Sequence, residues 1–570
     1  MEAFPTNAGG HSPSLAEDPA LGLSHRSKME ILFAVMLGLF LGALDQTIVS
    51  PALPTIATQL AGNDLYVWSI TIYLLTSTVT VPFWGKLSDL YGRKPMFMIG
   101  IVIFLIGSAL SGLSQNMEML ILFRGIQGIG AGALFPVALA IIGDMFTPAE
   151  RGKYQGLFGA VFGIAFVVGP LVGGFLTEQV SWHWIFYVNI PIGLVALFVI
   201  SRLLPNVKVA QASRSFDILG GAIFTVAVSI LLVGLTNKQF GDWTDPTVGG
   251  FILAGILGTL LFILVESRAK EPIIPLGLFR NRTYSSSMIS TFFASFAFFG
   301  AIVFLPRWFQ FVHGFSPTDS GLAALPLMGG LIFSSIVSGI VVARTGSYKW
   351  LLVGAIVVMG VATALMTQLT ATTDLLVVWF WMFLAGLGVG PTFSVFTIVV
   401  QNAVPFNQLG VATSNLTFFR QIGGSVALAI VGTIFGSTFL EQLGPQLDAA
   451  GVQAQVVSGF AQASSSGALD FNQLTGVGDL GAAILAGIPE AFRGAVEPFI
   501  GQIVAGIHQA FSLGVAQTFW IGVGATIIAA IAAAFMIEHP LREDDRAPVP
   551  AAQADADGGR SLSPTGSPAD

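Results

Sequence analysis

Long apolar segments separated by short polar ones occupy most of the chain. Many are close to twenty residues long, the length at which an α-helix crosses the hydrocarbon core of a bilayer. Because an even number of spans places both chain ends on one side of the membrane, the count also sets the topology. The pattern predicts fourteen membrane helices, with these bounds: 29–50, 67–84, 96–113, 119–142, 154–176, 185–204, 217–236, 247–266, 284–306, 319–341, 350–368, 375–398, 411–437 and 511–536.

Composition supports a membrane location. The 570 residues are 54% hydrophobic and 10% charged, with a mean hydropathy of +0.79. The chain has no Cys, which excludes disulfides and thiolate metal sites, and its six His show no metal-ligand spacing. We therefore predict an all-α polytopic membrane protein with no metal, no cofactor and no nucleic-acid partner.

The distribution of Lys and Arg tests the helix count, since basic residues gather in cytoplasmic loops. Of the 24 basic residues, Lys238, Arg307 and Arg493 fall on the side opposite the chain ends, and Arg124 and Arg420 fall inside spans. The other 19 (24 − 3 − 2) lie on the side of the chain ends. This partition favours fourteen spans with both termini in the cytoplasm.

Both ends of the chain are polar. Residues 1–28 contain no hydrophobic run before the first span and lack the layout of a cleavable signal peptide, so they are expected to form a cytoplasmic tail. Residues 537–570 include a stretch rich in Ala, Asp, Gly and Pro and are expected to form a disordered cytoplasmic tail.

Glycine spacing indicates an internal repeat. A shift of 254 residues places Gly85 and Gly92 on Gly339 and Gly346. Related six-helix units with a site between them are a common transporter architecture, so we predict bundles at 29–204 and 284–536, with 205–283 forming inserted helices 7 and 8. A shift of 258 residues extends the match, placing Gly128, Gly130, Gly132 and Gly152 on Gly386, Gly388, Gly390 and Gly410.

The segment GKLSDLYGRKP, from Gly85 to Pro95, concentrates charge between helices 2 and 3. We predict that Gly85 and Gly92 flank Asp89 in a tight turn, where Asp89 and Arg93 can form an ion-pair lock. A simple positive-inside anchor is the alternative. In the second repeat Asp89 and Arg93 become Ala343 and Ser347, so the first copy carries the fuller lock.

Three ionisable residues lie inside apolar spans: Asp45, Arg124 and Arg420. A charge at the bilayer centre costs on the order of 2.5–3.5 kcal/mol, so each needs a partner, a cavity or a function. Asp45 is the residue expected to titrate, since Arg stays protonated under nearly all conditions. Asp45 is either a proton carrier or half of a structural salt bridge with Arg124.

Helices 4 and 5 are rich in small residues. Arg124, Gly128 and Gly132 share one face of helix 4, with Gln127 beside them. In helix 5, small-xxx-small pairs predict close packing, and Pro170 removes a backbone hydrogen bond in the span. These pairs are Gly159/Gly163 and Gly169/Gly173.

Together these segments resemble the major facilitator superfamily, and within it the fourteen-helix branch of drug:proton antiporters. The resemblance covers residues 30–437 and the last span. It rests on five motifs, which occur in this order: LDQTIVSPALPTI, GKLSDLYGRKP, ILFRGIQGIGAGAL, GPLVGG and WHWIFYVNIPIG. The segment FFRQIGGSVALAI also resembles part of that branch.

The resemblance implies roles for individual residues. Asp45 would be the coupling acid and Arg124 the helix 4 arginine of proton coupling, while Asp89 and Arg93 would form a cytoplasmic latch with Asp144 as a partner of Arg93. The helix 5 antiporter motif would comprise Gly163, Gly169, Pro170, Gly173 and Gly174. No second buried carboxylate is evident in the central spans, which disfavours dications and favours monovalent or neutral lipophilic substrates.

The substrate cavity is expected between the halves, lined by helices 1, 2, 4, 5, 9, 10, 12 and 13. Candidate lining residues are Tyr73, Gln127, Phe135, Trp308 and Phe418. Residues 438–510 form a long outer loop whose second part is amphipathic and suited to the membrane surface, to capping the cavity or to a partner.

These features predict a monomeric, proton-coupled exporter of small lipophilic compounds in a bacterial-type inner membrane. It would be no enzyme and would draw its energy from the proton gradient. An ATP-driven pump is disfavoured because no phosphate-binding G-x-x-x-x-G-K-[ST] loop occurs. Two alternatives stay open: an exporter of a lipid or lipid-linked metabolite with this fold, and a non-transporting receptor or scaffold acting through the outer loop.

Overall fold

The computed structural model describes residues 24–60, 65–205, 217–238, 241–452, 480–487, 493 and 496–541. These residues form helices, turns and loops, and no strand occurs among them. Fourteen long helices are labelled here in chain order: α1 His25–Ile48, α2 Tyr66–Tyr91, α3 Arg93–Ser111, α4 Met117–Met145, α5 Pro148–Gln179, α6 Asn189–Leu203, α7 Ile218–Asn237, α8 Phe251–Glu266, α9 Arg282–His313, α10 Leu325–Thr345, α11 Lys349–Met366, α12 Leu375–Asn402, α13 Leu409–Ala449 and α14 Ile500–Ala534.

Each predicted span corresponds to one of these helices, which confirms the all-α polytopic fold. Within the described ranges, thirteen helices are long and apolar enough to cross a membrane. The fourteenth, α2, has 26 residues and includes several Ser and Thr. We call the end of the bundle that carries Gly92 the inner end and the opposite end the outer end. The first and last described residues both lie at the inner end.

The helices form two groups of six, α1–α6 and α9–α14, with α7 and α8 beside them. One apolar core joins α1, α3, α4 and α6, and another joins α9, α11, α12, α13 and α14. The groups meet along two seams, one formed by α2 and α13 and the other by α5 and α10. The inserted helices pack over the first seam, where Phe224 of α7 contacts Phe83 of α2 and Phe418 of α13.

The glycine repeat predicted from sequence is confirmed by equivalent contacts in the two halves. Gly92 and Gly346 end α2 and α10 with φ of 99° and 69°, values that favour glycine. A Cβ on Gly85 would lie 2.7 Å from the carbonyl oxygen of Gly410. The second seam has the same kind of contact, since Gly339 of α10 packs against the carbonyl oxygen of Gly152 of α5. The sequence shifts align Gly85 with Gly339 and Gly152 with Gly410, so each seam crosses at equivalent glycines.

The same equivalence holds inside each half. Gly128 of α4 packs on the Tyr73 carbonyl of α2, and Gly386 of α12 packs on the Leu327 carbonyl of α10. Tyr73 and Leu327 are themselves 254 residues apart. The close approach of α4 to α2 in the first half is therefore repeated by α12 and α10 in the second.

The tight turn predicted around Asp89 is wrong. Gly85 and Asp89 both lie in the last turns of α2, and the chain reverses at Gly92 alone. Two features keep this segment helical. Residues 85–91 contain no proline, and Gly85 has no side chain to obstruct the approach of α13.

The predicted outer loop at 438–510 is shorter than expected. α13 has 41 residues, about 60 Å at 1.5 Å per residue, so it extends well beyond a hydrocarbon core of about 30 Å. The described part of the outer segment also joins the apolar core of the second half rather than the membrane surface, contributing Leu480 and Ile484. Residues 453–479, 488–492 and 494–495 lie outside the described residues.

The start of the predicted C-terminal tail is ordered at the inner end. Glu538 accepts hydrogen bonds from the backbone N–H groups of Tyr348 and Lys349 at the start of α11, and from the Ser347 hydroxyl. Ile537 also accepts a hydrogen bond from the Thr283 hydroxyl of α9. The prediction of disorder is wrong for residues 537–541, because these contacts fix them. Residues 542–570 lie outside the described residues, as do 1–23 of the predicted N-terminal tail.

Glu538→Gln is expected to lower the free energy of unfolding by about 1 kcal/mol near neutral pH, because it removes the charge that strengthens these hydrogen bonds. The effect stays small because Glu538 is exposed and water weakens such bonds. Partial burial acts to raise its pKa, but the hydrogen bonds from Tyr348, Ser347 and Lys349 outweigh it and hold the pKa below the usual value. The stabilisation is thus present above the unfolded-state pKa of about 4.3 and is lost as pH falls through the lower folded-state pKa.

Melting temperatures of the purified wild type and variant, compared across pH, measure this effect. The gap should be constant near neutrality and close under acid conditions. Glu30→Gln is the matched control, because Glu30 pairs with Arg26 on an exposed helix surface and should show no gap. A gap at Glu538 that persists at low pH would contradict the assignment.

Candidate functional site

A buried ion pair lies within the first group of helices. Arg124 of α4 donates from Nη1 to Oδ2 of Asp45 of α1 at 2.6 Å. Asp45 is 0% exposed and Arg124 is 2% exposed. The salt bridge that the sequence analysis raised as one alternative is therefore present. The pair ties α1 to α4 at a depth where neither charge would be stable alone.

Further polar groups complete the shell of Asp45. Its Oδ1 accepts from the Gln127 amide at 2.8 Å and from the Asn189 amide at 3.1 Å. Asn189 lies at the start of α6 and also donates to the Ser108 hydroxyl of α3. Asp45 is thus held by hydrogen-bond donors from α4 and α6.

Arg124 has an aromatic neighbour as well as acceptors. Its guanidinium carbon lies 4.1 Å from the ring centroid of Tyr73 on α2, a cation–π distance. It also donates to the side-chain oxygen of Gln127 at 2.9 Å. Arg124 therefore keeps polar and aromatic contacts if Asp45 becomes neutral, which lets the pair open without leaving the cation unsupported.

At the inner end, Asp89 joins the two halves. Its Oδ1 accepts from the backbone N–H of Gly410 at 3.0 Å and its Oδ2 from that of Val411 at 2.8 Å. Both N–H groups belong to the first turn of α13, where the helix dipole favours an anion. Asp89 also pairs with Arg93. A carboxylate of α2 therefore caps a helix of the other half.

Arg93 links this contact to the end of α4. Its Nε lies 2.9 Å from Oδ2 of Asp144, the partner that the sequence analysis proposed, and its Nη1 donates to the Ser88 hydroxyl. Beside it, Lys86 pairs with Glu271 at 3.0 Å, in the segment between α8 and α9. The charges of the GKLSDLYGRKP segment thus all make contacts at the inner end, and the last of them, Lys94, donates to the Ser201 carbonyl.

Two glutamines form a further contact between the halves. The Gln155 amide of α5 donates to the side-chain oxygen of Gln401 of α12 at 2.8 Å. Gln401 in turn donates to the carbonyl of Leu139 on α4 at 3.1 Å. Both glutamines are buried, so the contact excludes water at this level. Sequence reasoning missed it, because a single Gln in an apolar span carries no distinctive spacing.

Aromatic rings from both halves meet between the helix groups. The ring centroids of Phe135 of α4 and Phe162 of α5 are 4.8 Å apart, and those of Phe162 and Phe393 of α12 are 5.5 Å apart. Arg420 of α13 stacks on Phe393, with 4.1 Å from its guanidinium carbon to the ring centroid. We use the name central chamber for the group of side chains formed by Phe135, Phe162, Phe393 and Arg420. Phe135 and Arg420 were predicted from the sequence as site residues, whereas Phe162 and Phe393 were not.

The remaining candidate lining residues lie elsewhere. Tyr73 and Gln127 belong to the Asp45 network. Trp308 is fully buried and donates to the Ser512 hydroxyl of α14 at 2.9 Å, so it faces the packing of the second half rather than a cavity. Phe418 packs against α7. Only Phe135 of the five touches the aromatic rings between the halves.

The small residues of α5 serve two contacts. Gly159 and Gly163 meet Ser335 and Ile332 of α10, whereas Gly169 and Gly173 meet the outer end of α1. The predicted close packing is therefore present in two places: between α5 and α10, at the seam between the halves, and between α5 and α1 within the first half. Pro170 of α5 contacts Gly321, and Gly174 faces Thr318, in the short helix Pro317–Ala323. No cluster of three His, Asp or Glu among the described residues could hold a metal ion.

Comparisons with known proteins agree with this architecture. Residues 35–428 match the family model of the Major Facilitator Superfamily. The chain is 37% identical over 511 residues to the multidrug transporter protein MdtP of Bacillus subtilis (strain 168), covering 88% of this chain and 92% of that protein. It is 35% identical to multidrug resistance protein 3 of the same organism, covering 76% and 84%.

A solved structure shares the fold. The crystal structure of a bacterial homolog to the human lysosomal transporter Spinster matches with a TM-score of 0.52 and 17% identity, covering 90% of this chain and 98% of that one. At that identity the likeness concerns the fold alone.

Proposed function

The chain belongs to the Major Facilitator Superfamily and is a multi-pass membrane transporter rather than an enzyme, as predicted; from this premise we propose that it exports lipophilic compounds in exchange for protons. Its relatives named as a multidrug transporter and a multidrug resistance protein support drug efflux. We place it in the fourteen-helix drug:proton antiporter branch, as a monomer in the cytoplasmic membrane with both termini inside.

The observation that carries the proposal is the fully buried Asp45 beside Arg124. A carboxylate with one cationic partner can bind a proton only if that pair opens, and Arg124 retains Gln127 and Tyr73 when it does. Proton binding at Asp45 would therefore loosen the tie between α1 and α4. Proton release would restore it. This couples the protonation of one residue to the packing of helices beside the central chamber.

Alternating access supplies the transport step. The proposed inner gate consists of Asp89 on the first turn of α13, Arg93 with Asp144, and the buried Gln155–Gln401 contact. The Asp89 and glutamine contacts join bundles 29–204 and 284–536 at the inner end, and the Arg93–Asp144 pair lies within the first bundle, where it holds the partner of Asp89. Opening the inner end breaks the contacts between the bundles, which admits substrate from inside, and their re-formation commits the substrate to the outer side.

Proton release from inverted membrane vesicles tests the proposal. With the vesicle interior acidified, a panel of lipophilic cations, anions and neutral compounds is added, and dissipation of the gradient is followed by a fluorescent pH probe. Wild type is expected to respond and Asp45→Asn is not, because Asn cannot carry the proton. Glu118→Gln, an exposed position in the first turn of α4, is the matched control and should respond like wild type.

Each other outcome has a definite meaning. An equal response from wild type and Asp45→Asn would place the coupling acid elsewhere. A response from neither would overturn antiport, and a lipid exporter would then be tested by lipid competition. If deleting residues 453–479 abolished the biological effect while Asp45→Asn were silent, the scaffold alternative would be favoured.

A further inference from the structure

The charges inside the membrane region do not balance. Asp45 and Arg124 neutralise each other. Arg420 lies 11 residues after Leu409, the start of α13, which is about 16 Å of helix and close to the middle of a bilayer. Among the described residues, no carboxylate lies within ion-pair distance of Arg420. The interior therefore carries one uncompensated positive charge.

Arg420 is held in place without being saturated. Its Nη2 donates to the backbone carbonyl of Thr392 at 3.1 Å, and its guanidinium carbon lies over the Phe393 ring, 4.1 Å from the centroid. Both contacts come from neighbouring residues of α12, so they orient the guanidinium. A guanidinium has five N–H donors, and one bond leaves most of them available. Arg420 is only half-buried, so protein atoms do not cover it completely.

The surroundings of Arg420 are aromatic. Phe393 contacts Phe298 of α9 as well as Phe162 of α5, and Phe162 contacts Phe135 of α4. Rings from the two halves thus stand next to one oriented cation. An apolar body fits the rings, and a planar anionic group fits the guanidinium, which binds carboxylates through paired N–H donors.

We propose that Arg420 is the anion-recognising residue of the central chamber, and that the substrates are lipophilic organic anions carrying a carboxylate. The inference rests on the proposed function, since it names the substrate class of that transporter. A lipophilic cation would meet Arg420 as a like charge and would find Asp45 already paired. A membrane potential negative inside also favours the outward movement of an anion.

Binding to the purified protein tests this substrate class. Carbon-14-labelled 1-naphthaleneacetate is the probe, measured by scintillation proximity, with unlabelled 1-naphthaleneacetate, 1-naphthaleneacetamide and (1-naphthylmethyl)trimethylammonium as competitors of matched shape. The acetate is expected to compete roughly tenfold better than the amide, the ratio that one charge-assisted contact of about 1.4 kcal/mol produces. The ammonium should be the weakest.

Variants assign the preference to Arg420. Arg420→Gln should remove the tenfold difference, and Arg420→Lys should keep part of it because the charge is retained. Arg282→Gln is the matched control: Arg282 also stands over a phenylalanine ring, at 5.3 Å from Phe535, but at the inner end of α9, and its variant should keep the preference. Melting temperatures of all variants verify that each is folded.

Several results would overturn the proposal: no saturable binding of the acetate, equal or better competition by the ammonium, or a preference that survives in a folded Arg420→Gln. The vesicle assay separates this failure from that of antiport. If the naphthyl ammonium releases protons through wild type, antiport stands and the anion class falls. If the acetate binds but moves no protons, the substrate class stands and antiport falls.

Discussion

Arg124→Met is expected to lower the free energy of unfolding by about 3–5 kcal/mol, because it leaves Asp45 buried with no cation beside it. Methionine keeps much of the length and apolar volume of the side chain, so the loss reports the charge rather than a cavity. Thermal unfolding of the purified variant in detergent should show a large drop in melting temperature.

The double variant Asp45→Asn/Arg124→Met separates the ion pair from its surroundings. It removes both charges and should recover most of the stability lost in the single variant, since a buried pair contributes little net stabilisation beyond what neutral groups supply. Arg26→Met is the control, because Arg26 pairs with Glu30 on the surface and should cost less than about 1 kcal/mol. A double variant no more stable than Arg124→Met would show that the pair is not the source of the loss.

Sequence patterns were sufficient for the number and order of the membrane helices. Apolar runs about twenty residues long are typical of membrane spans and rare in soluble domains, and the glycine repeat correctly related α2 to α10 and α4 to α12. Helix ends were less predictable. Hydropathy detects the part of a helix that lies in lipid, whereas α13 and α14 continue beyond it by burying Leu447 and Ile507 in a shared core. Such contacts depend on tertiary structure and leave no hydropathy signal.

The residues of the candidate site also divide into those that could be predicted from the sequence and those that could not. Asp45 and Arg124 were recognisable because charges are rare inside the spans and need partners, whereas Asp144 was predicted as a partner of Arg93 through the family resemblance. The partners of Asp89 in α13 were not, because backbone N–H groups of Gly410 and Val411 carry no sequence signature. The central chamber was predicted only in part. Arg420 could be identified because it is a charged residue in an apolar span, but the chain has 47 Phe, and only tertiary structure distinguishes Phe393 from the others.

Asp89→Ala is expected to reduce transport at least tenfold and to open the inner end of the protein. The variant removes the acceptor of two N–H groups at the start of α13 and one partner of Arg93, contacts to a charged group that contribute about 1.5–3 kcal/mol each. Because the chain has no Cys, a single Ser414→Cys gives a unique label site. Ser414 is fully buried against Gly85 in the same seam, and its hydroxyl donates only within α13, to Val411.

The labelling rate with a membrane-impermeant maleimide, measured in inverted vesicles, should rise by about 10- to 100-fold in Asp89→Ala, since each 1.4 kcal/mol lost from the closed state is a factor of ten in its population. Asp374→Ala is the matched control. Asp374 also caps a helix through a backbone N–H, that of Leu376, but at the outer end and within its own half. If both variants leave labelling and transport at wild-type levels, the contact between Asp89 and α13 does not hold the inner end closed, and the gate must rest on the glutamine contact between α5 and α12 instead.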